Sequence, residues 1–285
     1  MIRMSNKIIS ASIVLHNPDI EQLKTVINSY LPSEKRILYL IDNSPIKTKI
    51  ESILSNRNNI RYYFVGKNKG YGAGHNIAIK MAMQTDAKYH VILNPDLQFD
   101  PEIIDIIANF MNNDTFIAQV MPKILDQKGE LQYLCKLIPT PIDLILKRFF
   151  PQVVFEKKAV KYQLKFADYN KQMNIPCLSG CFMFFRISAF ESIGLFDETF
   201  FMYAEDIDIT RRMHRLFKTI YFPEVSVVHA HAAESYKNIK MLAIHIISIV
   251  KYFNKWGWFF DKERKKINGN TLKELDYKCY IPTIT

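Results

Sequence analysis

Long uncharged apolar runs are absent from this chain of 285 residues. No window of about 18 such residues occurs, so we expect no helix that spans a bilayer. The N-terminus, MIRMSNKIISASIVLHN, has no long apolar region followed by a small-residue cleavage site, and we therefore expect no signal peptide. The cysteines are few and have neither a second pair nor a histidine pair to complete a zinc site. We expect free thiols at Cys135, Cys177, Cys181 and Cys279.

Compact lysine or arginine runs of the kind that bind nucleic acid are also lacking. The chain is nevertheless basic, with a formal net charge of +10, which favours an anionic partner. A diphosphate-bearing substrate and an acidic lipid surface both fit this charge, and lysines interleaved with aromatics late in the chain favour a membrane surface. Apolar residues make up 48% of the chain, which is enough for a substantial core and excludes a disordered protein.

Strand-like and helix-like segments alternate in the first part of the chain. Four segments have the β-branched, apolar composition of buried strands: residues 7–15, 36–41, 61–65 and 89–93. Three segments have helical spacing of apolar residues: 19–30, 75–84 and 102–111. This alternation predicts an α/β fold with a doubly wound, mostly parallel sheet, in which ligands bind beyond the carboxyl ends of the strands.

Polar clusters follow three of these strands, at Asp42-Asn43-Ser44, at residues 68–76 and at Asn94-Pro95-Asp96. Because all three lie at carboxyl ends, we expect them to meet in one crevice. Asp96 has the chemistry to hold Mg²⁺ or Mn²⁺ against a diphosphate, while the alternative is an aspartate that only shapes a turn. The glycines of residues 66–74 would let backbone N–H groups approach a phosphate, or would form a plain strand–helix turn. Their spacing matches neither the Walker loop nor the dinucleotide fingerprint.

Three carboxylates fall within four positions, at Glu205, Asp206 and Asp208. Like charges packed together raise the pKa of at least one of them, which suits a general base. The alternative is an acidic first helical turn that is stabilised by the helix dipole. Asp208 and Arg212 are one helical turn apart, and we expect them to form an ion pair.

Two histidines, His229 and His231, follow a strand predicted at residues 219–228. A neutral imidazole at a strand end could complete a metal site, whereas a surface or capping histidine is the simpler alternative. Ser235 offers a hydroxyl nearby, but it lacks the nucleophile-elbow sequence of a serine hydrolase.

The later part of the chain is less regular. Residues 139–169 have no clean period and are predicted to leave the core, toward an acceptor. Residues 238–260 show a long helical pattern that carries Trp256, Trp258, Phe259 and Phe260 beside lysines. This mix suits the headgroup boundary of a membrane, and the alternative is a helix packed on the core or on a second subunit. We divide the chain into a domain of residues 1–235, with halves 1–112 and 113–235, and an amphipathic extension of residues 236–285.

Several motifs occur together in order: IDNSP at 41–45, NKGYGAGHN at 68–76, LNPDL at 93–97, LSGCFMFFR at 178–186, IGLFDETFFMYAEDIDITRR at 193–212, and the histidines at 229–231. In this order and spacing the chain resembles an inverting glycosyltransferase of family 2 with the GT-A fold. It is most similar to the bacterial rhamnosyltransferase-like branch. The resemblance covers about residues 8–235.

The resemblance implies a site for a nucleotide-diphosphate sugar, in which Asp42 binds the base and the glycine loop lies along the nucleotide. The donor-binding residues that it implies are Asp42, Asn43, Asn68, Gly70, Gly72, Asn76, Asn94, Asp96, Ser179 and Gly180. It implies a divalent metal, Mg²⁺ or Mn²⁺, held by Asp96 and His229, with His231 as the alternative histidine. The family's Asp-x-Asp motif reads Asn94-Pro95-Asp96 here, which leaves one carboxylate. The implied base is Asp206, within the catalytic pair Glu205-Asp206.

The implied reaction moves a sugar to a hydroxyl of a glycan acceptor on a polyprenyl diphosphate, at the cytoplasmic face of a membrane, in surface polysaccharide synthesis. The branch favours dTDP-rhamnose, while UDP-galactose and UDP-glucose stay open. One rival is a sugar nucleotidyltransferase, but residues 11–25 contain a single lysine, Lys24, and no glycine for its usual loop. The other is a catalytically degenerate binding subunit, which Asn94 alone supports.

Overall fold

A computed structural model describes residues 8–55, 57–146, 152–230 and 239–277. The strands are β1 (Ile8–Leu15), β2 (Arg36–Asp42), β3 (Ile60–Phe64), β4 (Ala87–Leu93), β5 (Leu97–Gln98), β6 (Ile117–Leu125), β7 (Cys135–Lys136), β8 (Met173–Asn174), β9 (Cys177–Leu178), β10 (Phe182–Arg186) and β11 (Lys218–His229). The helices are α1 (Ile20–Tyr30), α2 (Glu51–Leu54), α3 (Tyr71–Ala82), α4 (Glu102–Asn113), α5 (Gln152–Tyr162), α6 (Ala189–Ile193), α7 (Glu205–His214), α8 (Ile239–Trp256) and α9 (Lys262–Glu274). In these ranges, no helix is long and apolar enough to cross a membrane.

The main sheet confirms the predicted α/β architecture. Its strands follow the order β3-β2-β1-β4-β10-β6-β11-β5, with β8 beside β11. The pairs β1–β2, β1–β4, β2–β3 and β6–β11 are parallel, while β10 runs antiparallel between β4 and β6. Leu15 lies opposite Asp42 in the β1–β2 register, so these two strands end together and place their polar ends side by side.

Helices cover both faces of the sheet. The Asp19 carboxylate caps α1 by accepting hydrogen bonds from the backbone of Glu21 and Gln22, at 2.8 and 3.1 Å. The apolar sides of α1 and α4 belong to the largest buried cluster, together with alternate residues of β1 from Ile9 to Leu15. Apolar residues of α3, α6 and α7 form separate clusters with strand residues. This layering leaves the strand ends open for a site.

A line of buried polar side chains joins α3 to β1 and β4. Ser12 Oγ lies 2.7 Å from His75 Nδ1 and 2.8 Å from His90 Nε2, and Ser10 Oγ lies 2.8 Å from His90 Nδ1. Burial lowers the pKa of His90 to about 3 and holds the pKa of His75 well below its ordinary value. Both rings are therefore neutral hydrogen-bonding partners within the core.

The glycine loop is shorter than predicted, because α3 begins at Tyr71 rather than at His75. Gly72 and Gly74 therefore belong to the first turns of the helix. A Cβ atom at Gly72 would come within 2.9 Å of Phe196, and one at Gly74 within 2.7 Å of Val14. Close packing against these side chains explains the glycines and outweighs their low helix propensity.

The extension also differs from its predicted form. The helix expected over residues 238–260 ends at Trp256 as α8, and a second helix, α9, was not predicted. The sequence of α9 is strongly basic and buries only Arg264 and Thr271, so it carries almost no apolar period. The excursion expected at residues 139–169 contains a π-helix at Ile142–Leu146 followed by α5.

Trp256 packs against the protein, which agrees with the predicted alternative to a membrane contact for this residue. Trp256 Nε1 donates to Asp208 Oδ1 at 2.8 Å, and Lys255 Nζ lies 2.7 Å from the carboxylates of both Asp197 and Asp208. The indole of Trp258 donates to Asn254 at 2.8 Å. The predicted alternative of a helix packed on the core therefore describes this part of α8.

Arg211 of α7 anchors the start of α9. Its guanidinium is almost completely buried, with Nη1 and Nη2 at 2.8 and 2.9 Å from the two Asp261 oxygens and Nη2 at 2.9 Å from Glu263. The ring of Trp256 lies 4.0 Å from the Arg211 Cζ atom. The predicted pair between Asp208 and Arg212 is also present, at 2.8 Å. The extension is thus fixed to the helix that begins with the acidic pair.

Candidate functional site

The three predicted polar clusters meet at the carboxyl edge of the sheet. Asn43 Nδ2 donates to the Gly70 carbonyl at 3.0 Å, which joins the first cluster to the glycine loop. Asn68 Oδ1 accepts from the Gly70 N–H at 2.9 Å and shapes that loop. Asn94 Oδ1 lies 3.2 Å from the Tyr71 hydroxyl, which joins the third cluster. The structure therefore brings the three clusters together at the edge that the strand order predicted.

Asp42 is fully buried where β2 ends. Its carboxylate accepts hydrogen bonds from the backbone N–H groups of Ser44 and Thr48, each at 2.9 Å, and from the Tyr62 hydroxyl. Burial alone would raise the pKa of Asp42, but these hydrogen bonds hold it below its ordinary value. The neighbouring Asn43 Oδ1 is buried and has no hydrogen-bond partner within the described ranges. The carboxyl end of β2 therefore carries a carboxylate held by hydrogen bonds, at Asp42, beside a buried amide oxygen without a partner among the described residues, at Asn43.

Asn76 uses its amide within the protein. Its Nδ2 donates to the Phe196 carbonyl and to Glu198 Oε1, both at 2.9 Å, and its Oδ1 accepts from the Phe196 N–H at 3.0 Å. The side chain is buried. In the structure Asn76 holds the loop at residues 196–198 against α3. Its predicted contact with a nucleotide stays a prediction.

Gly70 lies directly against the segment at residues 199–204, which leads into α7. Its φ is +94°, and a Cβ atom there would lie 2.2 Å from the Phe201 carbonyl oxygen, so a side chain is excluded. The same oxygen accepts from the Tyr71 N–H at 2.9 Å. The start of α3 is therefore fixed to the approach to the acidic pair.

Tyr71 connects the end of β4 to the acidic pair. Its hydroxyl donates to the Gly180 carbonyl at 2.6 Å and lies 3.2 Å from Asn94 Oδ1. The Gly180 N–H in turn donates to Asp206 Oδ2 at 3.1 Å. Burial raises the pKa of Tyr71 well above its ordinary value, and the charges of Glu205, Cys181, Asp206 and Asp96 contribute further, in that order. The acids at positions 96 and 206 thus lie around one tyrosine and share one site.

The two acids of the pair have different environments. Glu205 is buried, and its Oε2 atom has no hydrogen-bond partner among the described residues. Burial, reinforced by the charge of Asp206, raises the pKa of Glu205 to about 8. Asp206 is half-buried at the crevice, with Oδ1 accepting from the Ile207 N–H at 2.9 Å. Burial thus favours the neutral form of Glu205, while Asp206 is half-buried and is the candidate base.

The turn before the acidic pair is strained. Tyr203 and Ala204 have φ angles of 71° and 67°, and neither is glycine. The left-handed conformation costs about 1–2 kcal/mol for such a residue. Strain of this kind persists only where the surroundings impose it, and it concentrates at functional sites.

Asp96 and His229 form the candidate metal pair. His229 lies opposite Leu97 where β11 pairs with β5, and its Nε2 is 3.4 Å from Asp96 Oδ2. Burial would lower the pKa of His229, but its hydrogen bonds to Asp96 and Cys181 raise it to about 10. Within the described ranges no group of three or more His, Cys, Asp or Glu residues could hold a metal. His231 lies outside those ranges, so the choice between the two histidines stays a prediction.

Two residues of the site were missed by sequence reasoning. Tyr71 lies inside the quoted glycine motif, where an aromatic between two glycines was an available signal. The second is Cys181, whose carbonyl accepts a hydrogen bond from the Asn94 N–H at 3.0 Å. It directly follows the predicted donor-binding residues Ser179 and Gly180, which are half-buried.

Cys135, Cys177 and Cys181 are free thiols, as expected, while Cys279 lies outside the described residues.

Comparison with known protein families identifies the family of this chain. Residues 10–194 match the family model of glycosyl transferase family 2. The chain belongs to this family. The resemblance that its motifs indicated is therefore confirmed, and the chain's crevice lies at the strand ends of a family 2 glycosyltransferase.

Characterised relatives of this family 2 chain include two rhamnosyltransferases. N-acetylglucosaminyl-diphospho-decaprenol L-rhamnosyltransferase of Mycobacterium tuberculosis is 27% identical over 219 residues, covering 72% of this chain and 70% of that protein. Rhamnosyltransferase WbbL of Escherichia coli is 25% identical over 197 residues, covering 67% of this chain and 72% of that protein.

Two solved structures share the fold. GalNAc-T7, crystallised with UDP, GalNAc and Mn²⁺, superposes with a TM-score of 0.59 at 14% identity over 95% of this chain. S. aureus TarS superposes with a TM-score of 0.58 at 14% identity over 97% of this chain. The chain spans 57% and 44% of these two longer proteins. At this identity the likeness shows the fold alone, and it confirms the predicted GT-A architecture.

Proposed function

We propose that this family 2 glycosyltransferase moves a hexose, with inversion, from a nucleotide-diphosphate sugar to a hydroxyl of a glycan acceptor carried on a polyprenyl diphosphate. One observation carries the proposal: the Tyr71 hydroxyl contacts both Asn94 and Gly180, and Gly180 holds Asp206. These contacts support a shared site for the strand end at Asp96 and the acid at 206.

Asp206 acts as the base in this reaction. It removes the proton of the acceptor hydroxyl, whose oxygen attacks the anomeric carbon while the bond from that carbon to the diphosphate breaks. The Gly180 N–H orients one oxygen of Asp206, and burial disfavours a second negative charge on the neighbouring Glu205. A single displacement inverts the anomeric carbon, so no carboxylate is needed as a nucleophile.

Asp96 and His229 would hold Mg²⁺ or Mn²⁺ through a carboxylate oxygen and an imidazole nitrogen, which lie 3.4 Å apart, once the ion displaces the proton that the raised pKa of His229 keeps on the ring. A bound ion would neutralise charge on the leaving nucleoside diphosphate. The presence of Mn²⁺ in the structure of GalNAc-T7 supports a divalent ion in this fold. Two protein ligands leave most of the coordination sphere to diphosphate oxygens and water, which is usual for Mg²⁺.

The sugar donor is proposed to be dTDP-rhamnose, because two relatives are named as rhamnosyltransferases. We expect dTDP-rhamnose with Mg²⁺ or Mn²⁺ to raise the melting temperature by several degrees at 100 times its Kd, since a ligand of the folded state stabilises by about 2.7 kcal/mol there. Differential scanning fluorimetry with dTDP-rhamnose, UDP-galactose and UDP-glucose measures this. A larger shift with either UDP-sugar would reject the rhamnose assignment.

The outer side of α8 and the following loop form a surface suited to a membrane. Exposed apolar residues occur at the spacing of one helix stripe, at Ile239, Ile246, Ile247 and Val250. Phe259 and Phe260 are 77% and 97% exposed just beyond the helix, next to Lys262. We propose that this surface lies in the headgroup region of an anionic membrane, where the lipid-linked acceptor is presented.

Vesicle flotation tests this surface. We expect the protein to float with vesicles containing phosphatidylglycerol, and the variant Ile247→Ser/Phe259→Ser/Phe260→Ser to lose most of that binding, because about 5–9 kcal/mol of apolar burial is removed. Phe116→Ser changes a side chain that is 66% exposed elsewhere and should leave flotation unchanged. Equal flotation of the triple variant and the wild type would refute the surface.

A further inference from the structure

Helix α8 contacts the strained turn from outside the crevice. The Ser248 hydroxyl donates to the Met202 carbonyl at 2.7 Å, and Lys251 Nζ donates to the Thr199 carbonyl at 2.6 Å. The rings of His245 and Tyr203 lie 4.6 Å apart. Three successive turns of one helix thus hold the segment at residues 199–204, which ends at the acidic pair.

The same segment is held from the inside by the glycine loop. The Phe201 carbonyl accepts from the Tyr71 N–H at 2.9 Å, and Gly70 packs on that carbonyl with no room for a side chain. The two left-handed residues, Tyr203 and Ala204, follow directly and lead into Glu205. Backbone in this conformation relaxes when its supports are removed, because other conformations are lower in energy.

We propose that Ser248 and Lys251 are positioning residues, which hold the strained turn so that Asp206 stays in place against Gly180. The inference rests on the proposed function, because it assumes that Asp206 is the base. Neither side chain is placed in contact with the reacting atoms. They act through the carbonyl groups of Met202 and Thr199, and so through the direction in which the chain enters α7.

The position of the Asp206 carboxylate determines how much the rate of transfer should fall when the turn relaxes. Asp206 Oδ2 is 3.1 Å from the Gly180 N–H, and relaxation at Ala204, two residues earlier, would displace it. Displacement by about 1 Å can cost as much as 100-fold in rate. Binding of the sugar donor depends on groups elsewhere in the crevice, so its KM should change little. A residue with a merely structural role would lower the melting temperature and the amount of folded enzyme without this separation.

The experiment compares Ser248→Ala and Lys251→Met in steady-state transfer assays of the full chain. We expect kcat to fall by about tenfold in each variant, with the KM for the sugar donor within about twofold and the melting temperature within about 2 °C. Lys251→Arg retains a cationic hydrogen-bond donor on an exposed side chain and should restore most of kcat.

Thr271→Val is the matched control, because Thr271 is a buried tail residue whose hydroxyl, within the described part of the chain, donates to the Ile267 carbonyl of the same helix at 3.1 Å. Its kcat should equal that of the wild type. Unchanged kcat in both test variants, or an equal loss in Thr271→Val, overturns the inference while the proposed function stands. Absence of transfer by the wild type with every sugar donor overturns the function, and this inference with it.

Discussion

Asp206→Asn is expected to fold normally and to lose sugar transfer by about 10²–10⁴-fold, the usual contribution of a general base. Asparagine keeps the size of the side chain and an oxygen that can accept from the Gly180 N–H, but it cannot take a proton from the acceptor hydroxyl. Release of nucleoside diphosphate, measured at saturating sugar donor, gives the rate, and circular dichroism with thermal unfolding checks the fold.

Glu205→Gln is the matched neutral substitution one residue away. Because burial favours the neutral form of Glu205, glutamine is a close substitute for it, and we expect transfer at pH 7 to stay within about tenfold of wild type. Near-native turnover by Asp206→Asn would remove Asp206 from the mechanism. A greater loss in Glu205→Gln than in Asp206→Asn would assign the proton transfer to Glu205 instead.

Arg211→Ala is expected to lower the free energy of unfolding by about 3–5 kcal/mol, as for a buried ion pair that loses one partner. The substitution leaves the Asp261 carboxylate 97% buried without its bidentate partner and removes the cation that lies over Trp256. Urea unfolding followed by intrinsic tryptophan fluorescence measures the change, since Trp256 itself reports on the contact.

An exposed ion pair provides the comparison for Arg211. Lys24 and Glu21 are 2.7 Å apart on the outside of α1, and Lys24→Ala should cost less than about 1 kcal/mol. If Arg211→Ala cost no more than Lys24→Ala, the extension would not be anchored through α7 as the structure indicates.

The sheet and the position of the crevice follow from short-range patterns. Strand and helix periods over the first 112 residues predicted the parallel strands β1 to β4, and polar residues after Ile41 and Leu93 predicted which edge would hold a site. Both inferences use rules that depend only on local order along the chain. They required no knowledge of which distant segments meet.

The remaining features depend on contacts between distant parts of the chain. Tyr71 and Gly180 are 109 positions apart, and Arg211 and Asp261 are 50 apart. The local sequence around Trp256 fits two placements equally well: in the headgroup region of a membrane, or against the buried guanidinium of Arg211. An aromatic residue beside lysines is typical of both. The start of α3 was predicted too late for a similar reason, since the glycine at position 72 is required by its packing against the distant Phe196 and does not mark a loop.

The serine–histidine line inside the sheet gives the protein an acid limit. Below about pH 6.5 the histidines at positions 75 and 90 become protonated in the unfolded chain. In the folded chain both stay neutral well below that pH, and His90 stays neutral down to about pH 3. The stability that the two neutral rings provide is complete above pH 6.5 and declines as the solution is acidified. Exposure to mildly acidic buffer therefore shifts the population toward unfolded chains, and a neutral environment is the one that this core requires.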